Sequence, residues 1–404
     1  MVIRPAGPGP IGTSSVHRPG PRGIVDALPS ALLSGLGPLV NLPIFKAAMA
    51  GVRAGTGRGK IVIIGDSTSM GAGAGTSGTS NLNGAAQKSW PQGLHRFNSA
   101  PNYLSSNSWW ATQGFDGAAG ITFSNYDSRI LLGANWAPNL TTLGGKVIRY
   151  APGAVNNLSL TPTYAFDTFI PCFLKNNGNG TCTANVDGGA SLGTINTNSL
   201  GALIWASQVF TCAKGIHTIN IVPNNDAQMF FGGIICYDST VPALDVIQCG
   251  VYGATAATFI PNVNVYDAMP TLRFLAPVLT IDALTINDSN NGTALATYLV
   301  NKQIIATNAK VSGDLIEMVG PPSNTTQATD GTLDGFISGP IATLCRTNNA
   351  PILNMKALWG SYANIQPTFP YFDALHVTQP GYQGPPANGY PDIDTAVANL
   401  LARA

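Results

Sequence analysis

Two short segments near opposite ends of the chain carry the residue types of nucleophilic catalysis. The first reads Lys60-Ile61-Val62-Ile63-Ile64-Gly65-Asp66-Ser67-Thr68 and the second Phe372-Asp373-Ala374-Leu375-His376. Four consecutive β-branched residues running into Gly65-Asp66-Ser67 predict a central strand that delivers a serine hydroxyl to its C-terminal edge. Serine is a weak nucleophile until a base takes its proton, and the base needs a fixed tautomer. An aspartate three residues before a histidine, on a loop, supplies both base and orienter. His17, His95 and His217 have no acidic residue at that spacing. Alone, His376 reads as a surface loop histidine; the Ser67 strand makes it a base. Ser67, His376 and Asp373 are therefore the expected nucleophile, base and orienting carboxylate.

Acyl transfer also needs donors aimed at the developing oxyanion. Gly250-Val251-Tyr252-Gly253-Ala254-Thr255 follows one expected strand and opens a helix, so the Gly253 backbone N–H can point into a cleft. Thr285-Ile286-Asn287-Asp288 follows the next strand and offers the Asn287 amide. The plainer alternatives are a tight turn at Gly253 and a helix cap at Asn287. Order along the chain favours the oxyanion reading. The run Gly71-Ala72-Gly73-Ala74-Gly75 fits neither Gly-x-Gly-x-x-Gly directly after a strand nor a Gly-Lys-Ser/Thr loop, which sets a nucleotide site aside. It is expected to form a mobile rim of the active site.

The succession Gly65-Asp66-Ser67, Gly253, Asn287, Asp373-x-x-His376 resembles the four-block pattern of the SGNH/GDSL hydrolase family. The resemblance covers about residues 58–128 and 244–404. It implies a flavodoxin-like three-layer α/β/α sandwich. It also implies that Ser67 is the nucleophile and donates its own backbone N–H to an oxyanion hole shared with Gly253 N–H and the Asn287 amide. Two positions depart from the family pattern. Thr285 stands where that block usually begins with Gly, and Val377 follows the histidine where Pro is often found, although Pro380-Gly381-Tyr382 keeps the usual ending.

The elements that must position these residues follow from pattern. Residues 1–57 hold a Pro/Gly-rich arm to about residue 23 and two short amphipathic stretches, the second, Pro43 to Val52, helical. A first hydrolase segment spans 58–128, with a helix over Trp90 to Phe97. From 129 to 243 the texture turns to β. Alternation marks Thr181 to Val186, Gly215 to Val222 and Met229 to Tyr237, and Asp187-Gly188-Gly189 is a hairpin turn. This stretch is expected to be an inserted β-sandwich. Strand-helix rhythm resumes over 244–404: strands at Leu244 to Cys249, Val278 to Leu284, Leu315 to Val319 and Ile352 to Met355. A helix at Asn291 to Lys310 is predicted to turn Leu295, Leu299 and Ile304 inward, and a last helix Ile393, Val397, Leu400 and Leu401. Alternating strands and helices make a parallel sheet whose sites lie at the strands' carboxyl ends.

Composition bounds the function. The 404 residues exceed the usual size of one domain. Charged residues make up 10%, against roughly 25% in typical soluble domains, so Ser, Thr, Asn and Gly must wet the surface. A net charge of +1 without basic clusters argues against nucleic acid and anionic membranes. Pro38, Asn41, Pro43 and Lys46 interrupt the most apolar stretch, Ala31 to Val52, so no membrane span and no ordinary signal peptide is expected. The six cysteines form no Cys-x-x-Cys, and neither a metal nor another cofactor has sequence support. Cys172 with Cys182 and Cys212 with Cys236 could bridge neighbouring strands, or all six could be buried thiols.

The leading expectation is a serine esterase acting on small acyl groups, acetyl above all, of a polysaccharide. Trp109, Trp110, Trp136 and Trp205 are candidate sugar platforms, although burial in the core is the commoner fate of such rings. The rival expectation is a phage-tail or surface-attachment protein, assembling through its arm, that carries the hydrolase domain for receptor binding or deacetylation. Either way the expected location is extracellular or on a virion surface. A catalytically dead carbohydrate-binding module is disfavoured, since every polar group the chemistry needs is in the sequence.

Overall fold

The structure, a computed structural model, describes residues 42–77, 79–113, 122–325 and 328–403. The Pro/Gly arm, the assembly role expected of it and the first amphipathic stretch lie outside the described residues.

Six parallel strands form the central sheet: β1 (Gly59–Gly65), β2 (Leu104–Ser105), β3 (Leu244–Gly250), β4 (Leu279–Ala283), β5 (Asp314–Val319) and β6 (Ile352–Asn354). Their order is β6-β5-β4-β1-β3-β2, with every neighbouring pair parallel. Without the two-residue β2 this is the flavodoxin-like order, which reverses at β1. In register, Gly65 lies opposite Gly250 on one side and Ala283 on the other. The three segments expected to do chemistry therefore leave the sheet at one level.

Because successive strand side chains point to opposite faces, the apolar run of β1 serves two cores. Ile61 and Ile63 pack with Phe45, Met49 and Val52 of helix α1 (Pro43–Arg53) and with Val397, Leu400 and Leu401 of α6 (Ile393–Arg403). Val62 and Ile64 face α2 (Ala268–Leu275) and α3 (Leu295–Ala309). Helices α4 (Asp330–Phe336) and α5 (Ala342–Asn348) extend this second layer. Residues at spacings of four, three and one bury the inner face of α6 as its sequence predicts.

Helix α3 keeps part of its predicted face, Leu299 and Ile304 packing at the edge of the core, and departs from it elsewhere. Leu295 is exposed, Leu299 and Ile304 are only half-buried, and the inward residues are Tyr298, Lys302, Ile305 and Ala309. A lysine occupies the inner face because two carboxylates wait for it there. Lys302 Nζ lies 2.6 Å from Asp282 Oδ1 and 2.7 Å from Glu317 Oε2.

Between β2 and β3 the chain forms two antiparallel sheets. The strands run from Ile130 to Tyr237, and Trp109–Trp110 joins one sheet. Their facing sides share an aromatic core that includes Trp136, Tyr150, Phe166, Phe169, Phe173 and Phe231. The turn at Asp187-Gly188 has φ of +54° and +70°, and it joins Thr181–Val186 to its partner Gly193–Asn196. Met229–Tyr237 does not alternate: eight of its nine residues are buried, because both faces of this strand are covered. Its far face joins Trp110, Leu174 and Trp205 against Met269 and Leu272 of α2. The β layer is thus seated on the helical layer.

These two cores dispose of the candidate platforms, Trp110 and Trp205 against the helices and Trp109 and Trp136 between the sheets. Trp109, Trp110, Trp136 and Trp205 are all buried. The six cysteines are free thiols, four of them fully buried, and neither anticipated bridge forms. Among the described residues, no helix is long and apolar enough to cross a membrane.

Candidate active site

Glycine at position 65 lets β1 turn sharply. A Cβ there would fall 2.0 Å from Ser69 Oγ, so any side chain would block the bend. Asp66 then fixes the turn: its Oδ1 accepts from Thr68 N–H at 2.9 Å and Thr68 Oγ1–H at 2.7 Å. Burial raises the Asp66 pKa, outweighing these two bonds. Between them lies Ser67, 4% exposed.

The downstream segment closes on Ser67. His376 Nε2 is 2.8 Å from Ser67 Oγ, and His376 Nδ1 is 2.7 Å from Asp373 Oδ2. The other Asp373 oxygen accepts from the backbone N–H of Leu375 and of His376, each at 2.7 Å. Partial burial pushes the Asp373 carboxyl up. The ring hydrogen bond, the histidine charge and the two amides outweigh it, so its pKa falls below the ordinary value. A carboxylate that ties its own loop into a turn is well placed to hold the ring. Val377 is buried in the core, which gives an apolar role to the position where the family often has Pro.

Gly253 adopts φ +71°, the left-handed region that glycine enters without steric cost. Among the described residues, no acceptor takes the backbone N–H of Gly253 or of Ser67. Asn287 sits in a short helix, Ile286–Asn290, and its Nδ2 donates to Ala254 O at 3.0 Å, leaving its second amide hydrogen for another acceptor. Asp288 Oδ2 accepts from Ala256 N–H at 2.8 Å. These two bonds tie the loop after β3 to the helix after β4.

Sequence reasoning missed the support beneath Asn287. The carbonyl of Leu284 accepts from Tyr298 Oη–H at 2.6 Å, Thr285 Oγ1–H at 2.7 Å and Lys302 Nζ at 3.4 Å. The hydroxyl of Thr285 thus has a place in this buried network, where the family usually has a bare glycine. Burial pushes the Glu317 carboxyl up, against the pull of Lys302. The available signal was an acid in the interior of each of two largely apolar strands, Asp282 in β4 and Glu317 in β5. The glycine run also differs from expectation. Residues 71–74 are buried, and Gly73, Gly75 and Thr76 donate to the carbonyls of Ser80, Asn81 and Asn83. It forms a buried, hydrogen-bonded wall beside His376.

The strand order, the α/β/α layering and the position of the Ser67 turn define an SGNH hydrolase-like fold. A solved peptidoglycan O-acetylesterase is similar at a TM-score of 0.59 and 16% identity, over 91% of this chain and 96% of that one. A family two carbohydrate esterase from Clostridium thermocellum, in complex with cellohexaose, aligns at TM-score 0.27 and 11% identity over 63% of this chain and 94% of its own. Its counterpart from Cellvibrio japonicus gives 0.26 and 12% over 63% and 91%; at such scores neither bears on the argument. No protein-family model matches the chain, and no curated protein does.

Proposed function

We propose that the protein is a serine esterase that removes small acyl groups, acetyl above all, from a polysaccharide. The observation that carries the reading is the unbroken hydrogen-bonded path Asp373 Oδ2, His376 Nδ1, His376 Nε2, Ser67 Oγ. Ser67 Oγ attacks the ester carbonyl carbon while its proton passes to His376 Nε2, and Asp373 stabilises the imidazolium. The carbonyl oxygen, now anionic, is received by the N–H groups of Ser67 and Gly253 and by the free Asn287 amide hydrogen. The C–O bond to the alcohol then breaks, His376 returns the proton to that oxygen, and an acyl-Ser67 ester is left. Water, deprotonated by His376, repeats the sequence and releases the acid.

The deep seat of the reacting pair supports a small acyl group, since Ser67 is 4% and His376 5% exposed. Fold likeness to a peptidoglycan O-acetylesterase supports a carbohydrate alcohol. A fluorophosphonate probe is expected to label the wild type and not Ser67→Ala, and a series of esters is expected to fall in rate as the acyl chain lengthens beyond acetyl. A wild type that resists the probe would overturn the serine mechanism.

A further inference from the structure

The aromatic rings proposed from sequence to hold a sugar are buried, yet one ring is not. Among the described residues Phe372 is the single aromatic side chain in the exposed class, at 43%. One exposed apolar side chain is ordinary on a protein surface; what singles out Phe372 is where it stands. Its position is not arbitrary. Phe372 N–H donates to His376 O at 2.8 Å, and Tyr371 and Val377 pair as an antiparallel bridge. The ring is therefore carried on the same small hairpin that presents the imidazole.

From Phe372 a continuous rim leads to the oxyanion side. At Gly73, φ is +90°, and a Cβ would lie 3.1 Å from Phe372 Cβ, 3.1 Å from His376 Cβ and 2.5 Å from Val377 O. Glycine thus lets the Phe372–His376 hairpin approach the wall. Gly73 N–H donates to Ser80 O at 2.8 Å, and Ser80 Oγ meets Tyr252 Oη at 3.1 Å. Tyr252 immediately precedes Gly253. Both hydroxyls are half-buried, and each can donate or accept, so the pair retains hydrogen-bonding capacity toward a ligand.

We propose that this rim is the subsite for the alcohol half of the ester, a pyranose ring: Phe372 covers its apolar face, and Ser80 and Tyr252 hydrogen-bond its hydroxyls. The inference rests on the esterase reading for its reaction but not for its binding. An apolar ring face opposite a pair of hydroxyls matches a sugar, whose C–H faces are apolar and whose edge is polar. A lipid alcohol would leave the hydroxyl pair unpaired, at a cost in affinity.

Two measurements test it. The first is the ratio of kcat/KM for a mono-O-acetylated β-glucan trisaccharide to kcat/KM for vinyl acetate, whose alcohol has neither ring nor hydroxyl neighbours. Phe372→Ala is expected to lower this ratio about tenfold, Tyr252→Phe severalfold, and Phe372→Trp is expected to restore it. An unchanged ratio in Phe372→Ala would overturn the proposal, as would a loss shared equally by both esters. The second is titration of the same acetylated trisaccharide into Ser67→Ala and into Ser67→Ala/Phe372→Ala. Weaker binding in the double variant is expected, and equal affinity would overturn the subsite. Should the wild type hydrolyse neither ester, the esterase reading fails while the titration still decides the subsite.

Discussion

His376 Nε2 and Ser67 Oγ lie 2.8 Å apart although 309 positions separate them in the chain. The two are held from different elements, Ser67 by the turn that ends β1 and His376 by a carboxylate-bonded hairpin leading into the buried Val377. Their meeting requires both elements to be rigid, and each has its own hydrogen bonds.

Asp373 does more than accept from the ring, because its second oxygen also closes the loop on two amides. Replacing it with Asn keeps the size and most of the loop bonding but favours the wrong histidine tautomer. Asp373→Asn is expected to lower kcat by about 10³–10⁴-fold with a much smaller change in KM. Steady-state kinetics on an acetyl ester, alongside unchanged thermal unfolding, would check this; a loss below tenfold would argue against an orienting role.

Asn287 is the one expected oxyanion donor that is a side chain, so it can be removed alone. Asn287→Ala is expected to lower kcat by about 10²–10³-fold. Fluorophosphonate labelling should slow in parallel, since the same charge develops in that reaction. Normal turnover in this variant would place the oxyanion elsewhere.

Lys302 is the sole cation against the buried Asp282 and Glu317 among the contacts described for these acids. Lys302→Met strands both carboxylates and is expected to cost about 3–5 kcal/mol of stability. Adding Asp282→Asn and Glu317→Gln removes the stranded charge and should recover part of that loss. Denaturant midpoints of the single and triple variants measure it, and a stable single variant would contradict the ion network.

His95 stacks flat on Tyr164, with ring centroids 3.4 Å apart, and its Nδ1 accepts from Ser106 N–H at 3.3 Å. Burial lowers its pKa to about 4, from 6.5 in the unfolded chain. A depressed folded pKa means that the unfolded state takes up the proton first as pH falls. The stabilisation is thus whole above pH 6.5 and drains away toward pH 4. The stability of the wild type relative to His95→Gln should fall between pH 7 and pH 4.5. A difference that does not change with pH would refute the assignment.

Much of the site was legible because it is written in local chemistry. A run of Ile-Val-Ile-Ile into Gly-Asp-Ser can hardly be anything but a buried strand ending in a sharp turn, and Asp373 reaches His376 within one turn of loop. The amphipathic spacing of α6 likewise needs only the sequence. What failed to show was set by partners remote in sequence. Lys302 faces inward because Asp282 and Glu317 stand on strands before and after its own helix, and no periodicity rule expects an ion inside. Met229–Tyr237 lost its alternation because a second layer covers it; Trp110 and Trp205 lost their surface to that same layer, and Trp109 and Trp136 to the core between the two sheets. Hydrophobic pattern and turn chemistry act between neighbours in the chain and so marked the elements, the Asp373–His376 pair and the α/β class. Which faces are covered, which charges are paired and why the Phe372 ring stays in solvent depend on burial, and burial is a property of the packed layers alone.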